Sequence, residues 1–67
     1  MREWEYNTIF IEWRDGRWVV TNSNDYRSTP RLYEILDQIG KNGWEMASMF
    51  PNDDTWRSYI AVFKRPL

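Results

Sequence analysis

The chain has 67 residues, nine basic and ten acidic side chains, a net charge of −1, five tryptophans, and neither cysteine nor histidine. That length allows a single domain, residues 1–67, which buries only roughly 60% of the surface it exposes when unfolded. Missing cysteine and histidine exclude disulfides and any thiolate or imidazole metal site, and an acidic balance argues against a non-specific grip on a nucleic-acid backbone. Domains below about 70–80 residues rely on disulfides, metals, oligomerisation or dense apolar packing. With the first excluded and the second reduced to all-oxygen sites, an aromatic content of 18% and self-association are the means left.

Residues 3–13 are rich in aromatic and β-branched types, with Trp4, Tyr6, Thr8, Ile9, Phe10, Ile11 and Trp13, and residues 17–21 continue in the same style. Asp15-Gly16 between them favours a two-residue type I′ turn, in which both central residues need positive φ. That turn fixes a register: Arg14 opposite Arg17, Trp13 opposite Trp18, Ile11 opposite Val20, and Ile9 opposite Asn22. Because side chains alternate along a strand, one face carries Ile9, Ile11, Trp13, Trp18 and Val20 and is the expected core face. The other carries Trp4, Tyr6, Thr8, Phe10, Glu12, Arg14, Arg17, Val19 and Thr21, a mixture that a fully wet surface rarely shows.

Residues 22–29 are polar and turn-forming. Thr29-Pro30 predicts an N-cap followed by proline at the first helical position. Leu32, Ile35, Leu36 and Ile39 then fall on one stripe of an amphipathic helix. Glu34–Gln38 and Asp37–Lys41 are i,i+4 pairs on its wet side. Gly43 is the expected left-handed residue at its end, with Gly40 as an earlier alternative. Residues 44–50 form a third strand, Pro51-Asn52-Asp53-Asp54-Thr55 a turn, and residues 56–64 a fourth strand. Either Ile60/Val62 or Tyr59/Ala61/Phe63 could face inward there, since both sets are apolar. The expected fold is α+β, ββαββ, a four-stranded and mainly antiparallel sheet with one helix on one face. One helix of about 12 residues covers one sheet face, so the face with Trp4, Tyr6 and Phe10 needs another cover.

No apolar run reaches the roughly 20 residues of a membrane helix. Met1-Arg2-Glu3-Trp4-Glu5 lacks the apolar stretch of a secretory leader. A cytoplasmic protein without a membrane partner is the expectation.

Three short motifs run in order through the chain. They are Trp4-Glu5-Tyr6, then Gly43-Trp44-Glu45 at the helix-to-strand junction, then Tyr59-x-Ala61-x-Phe63-Lys64-Arg65. Together they resemble a widespread family of small bacterial and phage domains of unknown function, marked by WEY, GWE and a closing KR. The resemblance spans nearly the whole chain and implies a compact ββαββ domain with no assigned activity. The polar segment 22–29 and the additional Trp13, Trp18 and Trp56 depart from its pattern.

Catalysis by acid–base or nucleophilic steps most often uses His, Cys or a lysine of depressed pKa. The first two are absent, and Lys41 and Lys64 fall in solvated or terminal positions. Asp53 and Asp54 are adjacent in a turn, where such residues serve the turn itself. An all-oxygen cation site from Asp25, Asp53 and Asp54 lacks calcium-loop spacing. The chain is therefore expected to be no enzyme, with no catalytic residue, metal or cofactor. The leading expectation is a homo-oligomeric interaction module, a dimer or higher, joined through the helix-free aromatic face. The alternative is a protein that binds or sequesters a small nucleotide-like anion between aromatic walls and arginines, as small phage proteins that sequester immune-signalling nucleotides do. Trp4, Tyr6, Phe10, Arg14, Arg17, Trp56, Arg57 and Tyr59 are the candidate contact residues for partner or ligand. Single-stranded nucleic acid stacked on the same face is the weakest of the three readings, because no basic stripe accompanies the aromatics.

Overall fold

Strand β1 (Trp4–Arg14) is the spine of the computed structural model, which describes residues 3–67; Met1 and Arg2 lie outside the described residues. It pairs with β2 (Arg17–Val20) on one side and β4 (Ser58–Pro66) on the other, and β3 (Glu45–Pro51) adds to β4. The helix α1 (Leu32–Lys41) joins the two hairpins, and the order across the sheet is β2-β1-β4-β3 with every pairing antiparallel. This is the expected α+β arrangement.

The first hairpin forms as its turn residues require. Asp15 and Gly16 take φ of 53° and 79°, and the pairs Ile11–Val20, Trp13–Trp18 and Arg14–Arg17 follow. The Trp13 and Trp18 rings meet edge to face at 5.2 Å and 65°, a preferred aromatic geometry. Strand β2 ends at Val20, and after one more backbone bond, from the Thr21 N–H to the Phe10 carbonyl at 2.9 Å, the expected Ile9–Asn22 pair does not form. The Asn22 side chain continues the pairing instead: Oδ1 accepts the Phe10 N–H at 3.0 Å and Nδ2 donates to the Thr8 carbonyl at 2.8 Å.

The helix begins at Leu32, not at Pro30. Thr29 is not its N-cap, because the Thr29 backbone is committed to strand-like bonds with Trp18 in both directions (2.7 and 3.1 Å). Arg31, with extended φ and ψ, holds the cap position without a side-chain cap. Buried Thr29 caps from two residues upstream. Its Oγ1 accepts the Arg31 N–H at 3.3 Å and donates to Glu34 Oε2 at 2.7 Å. At the other end Gly43, at φ 87°, is the left-handed residue, and its N–H reaches the Gly40 carbonyl at 3.0 Å.

The fourth strand runs Ser58–Pro66, two residues later than expected at either end. Trp56 and Arg57 are in the turn, and Trp56 has a positive φ of 61° that no strand accommodates. The core lies on one side of the sheet. Ile9, Ile11 and Val20 from the first hairpin, Ala61 and Phe63 from β4, and Ile35 and Ile39 from α1 are buried together. Tyr59, Ala61 and Phe63 are therefore the inward set of β4. Arg65 closes the open end of this layer: it pairs with Glu5, lies 4.1 Å from the Trp44 ring and donates to the Asn42 carbonyl at 3.2 Å.

Candidate functional site

The face opposite α1 is built from cross-strand rows. Phe10 of β1 sits opposite Ile60 of β4, which sits opposite Phe50 of β3. One pleat along, Thr8, Val62 and Ser48 form a second row, and Tyr6, Lys64 and Glu45 a third. Glu12 stands opposite Ser58 and Val19 beyond the first row. Phe10 is 42% exposed, Phe50 45% and Tyr6 65%, while Ile60 and Val62 are half-buried between their neighbours. A contiguous apolar patch of this kind, rimmed by polar groups, is characteristic of contact surfaces.

Charges frame the patch at both ends. Arg14 and Arg17 are directly opposite, an arrangement of like charges that costs stability, and Arg14 turns to Glu12 Oε2 at 3.0 Å. At the far end Lys64 Nζ lies 4.5 Å from the centre of the Trp4 ring, with Glu45 beside it in register.

Of the eight candidates read from sequence, Trp4, Tyr6, Phe10, Arg14 and Arg17 occupy this face. The other three do not. Tyr59 is opposite Ile11 on the core side, with its ring 5.8 Å from Trp18 and 6.5 Å from Trp56. Trp56, 63% exposed, projects from the turn. Arg57 precedes the strand, and its carbonyl accepts the Trp13 N–H at 2.6 Å. Sequence reasoning placed Thr8 on this face but missed Phe50, Ile60, Val62 and Ser48 as parts of the site. Alternation alone could not assign β3, since a register shift between Met46 and Ser48 changes which face follows it. Met46 pairs with core-facing Phe63, yet Ser48 and Phe50 face the other way.

A cleft of about 440 Å³ lies along the outer side of α1, lined by Arg27, Thr29, Glu34, Asp37, Gln38 and Lys41 among others. Much of its polar lining is already engaged. Gln38 exchanges two hydrogen bonds with the Arg27 backbone, and Glu34 is held by Thr29 and Arg31. The Thr29 hydroxyl, then Arg31, keep the Glu34 carboxyl below its ordinary value. Asp53 is likewise lowered by hydrogen bonds from the Thr55 hydroxyl and N–H, which makes it a turn residue. Among the described residues no helix is long and apolar enough to cross a membrane.

Set against known protein families, curated proteins and solved structures, the chain matches none. Its function has to be read from its own surface.

Proposed function

We propose that this protein is a non-enzymatic interaction module that associates with itself through the helix-free face of its sheet. The row Phe10–Ile60–Phe50, with Val62 and Tyr6 alongside, carries this reading. Three strands contribute to it, and helix α1 lies on the other side. Sheets of small antiparallel domains bury one face and keep the other polar; here the second face is apolar along its middle and charged at its ends, the composition of an interface core and rim. Self-association also supplies what a chain of this size otherwise takes from a disulfide or a metal.

Less supports binding of a small nucleotide-like anion. Its candidate residues divide between two faces, and Arg14 is paired with Glu12. Size exclusion coupled to light scattering tests the proposal. At least twice 8.3 kDa is expected at micromolar concentration, and a clean monomer there overturns it. Phe10→Asp or Phe50→Asp is expected to shift the mass to that of one chain while the circular dichroism of the folded domain persists.

A further inference from the structure

The helix-free face is self-complementary about one particular axis, and from this we infer that its partner is a second copy packed face to face with its strands reversed. This inference rests on the proposed self-association and specifies it. The helix-free residues of β1 run from Trp4 to Arg14, and their midpoint falls between Thr8 and Phe10. The same level on β4 falls between Ile60 and Val62, and on β3 between Ser48 and Phe50. A two-fold axis in the plane of the interface, crossing the strands at this level, lays each row on a different row of the partner.

The match is in size and in charge. Phe10 lies on the partner's Thr8, Phe50 on the partner's Ser48, and Ile60 on the partner's Val62. Large side chains thus meet small ones along two strands, the alternation that lets packed layers interdigitate. One row further out, Glu12 meets the partner's Tyr6, whose hydroxyl can donate to the carboxylate. At the ends Arg14 reaches the partner's Trp4, a cation over an indole, and thereby finds a use for the costly Arg14–Arg17 juxtaposition. Moving the axis half a row towards the hairpin tip places Phe10 on Phe10 and Phe50 on Phe50, and sets Glu12 on the partner's Thr8. Turning the axis parallel to the strands sets β1 on β4, brings Tyr6 to Lys64 and lays Phe10 on Ile60, so that along β1 large side chains no longer meet small ones. The overlapping strands β1, β4 and β3, about 4.8 Å apart over the paired length of β1 and β4, give a plan area on the order of 400 Å², which side-chain relief brings to the low end of specific interfaces; β2, four residues long at the hairpin end, lies outside the overlap. Association of this form is isologous and closes at two copies.

The chain contains no cysteine, so thiols can be placed at will. Glu12→Cys and Tyr6→Cys are prepared separately, then mixed, unfolded, refolded together and treated with a bifunctional maleimide spanning no more than about 10 Å, the separation of packed sheets. In the inferred arrangement identical positions are about 20 Å apart, six residues at about 3.4 Å, while Glu12 of one copy is beside Tyr6 of the other. Covalent dimer is expected in the mixture, on the order of tenfold above either variant alone, since adjacency raises effective concentration to the millimolar range. Arg14→Cys mixed with Trp4→Cys is expected to behave in the same way and guards against one variant misfolding. If light scattering finds dimers but neither mixture links above its single variants, the arrangement is overturned and the association stands. If the unmodified chain is a monomer, both are overturned.

Discussion

At the scale of single residues, burial separates side chains that hold the fold from those available for contact. Phe63 is 2% exposed at the centre of the helix-side core, and Phe63→Ala is expected to lower stability by about 3–5 kcal/mol in urea melts. Phe50 is also a large aromatic in a strand, yet it is 45% exposed. Phe50→Ala is expected to change the stability of the isolated monomer by less than about 1 kcal/mol while weakening self-association, which dilution series by light scattering can follow. Equal losses for the two variants would remove the distinction between the two faces. Trp18, half-buried against Trp13 and Tyr59, is expected to fall between them. Thr29 shows how one buried hydroxyl acts through a titrating neighbour. Its bond to Glu34 Oε2 stabilises the charged carboxylate, so the folded-state pKa of Glu34 lies below its unfolded value. That contribution is present at pH above the unfolded value and is lost as pH falls through the lower folded one. Thr29→Val is expected to cost about 1–2 kcal/mol at neutral pH, as the loss of a helix cap does, and less in acid. A penalty that stays constant as the carboxylate protonates would show that Glu34 is not the partner that matters.

At the scale of elements, the two glycines near the end of α1 provide an internal control. Gly43 sits at φ 87°, where a β-carbon is strained, and Gly43→Ala is expected to destabilise by about 1 kcal/mol or more. Gly40 is helical, with open space where a β-carbon would stand, so Gly40→Ala is expected to stabilise by up to about 1 kcal/mol. Thermal melts giving the same sign for both would show that the helix ends elsewhere. Periodicity and turn chemistry made most of these elements legible. Asp15-Gly16 set the first register, the Leu32–Ile39 stripe the helix face, and Gly43 its end. What could not be read depended on partners distant in sequence. Thr29 looks like an N-cap until Trp18 claims its backbone, and Trp56 looks like strand until its φ turns positive. Tyr59 looks like a site residue until its register opposite Ile11 turns it to the core. The irregularity between Met46 and Ser48 hid Phe50, the third member of the central apolar row. Five of the site's residues were thus visible from one hairpin, and the rest came from β3 and β4, whose faces only the full sheet decides.

At the scale of the whole molecule, shape and size lead to the same conclusion. The protein measures 44 × 23 × 17 Å, and its short dimension is that of one sheet with one helix layer on it. Two-layer domains of this size have thin cores, and here the core is confined to the side where α1 meets β1, β2 and β4. A second copy on the other face would turn two layers into four, helix–sheet–sheet–helix, and would put Phe10, Ile60 and Phe50 into a core shared by both chains. Folding and association are then linked by mass action: whatever binds only the folded chain raises its apparent stability with concentration. Each tenfold increase in protein concentration is expected to raise the melting temperature by about 5 °C, given the small unfolding enthalpy of a domain this short. Phe10→Asp is expected to lower the melting temperature at high concentration and to abolish its dependence on concentration. The two effects must travel together, because a substitution that only damaged the monomer would depress the melting temperature at every dilution and leave the slope in place. A melting temperature that is flat over a hundredfold range in the unmodified chain would mean that this face stays wet in solution and that the helix-side core alone carries the fold.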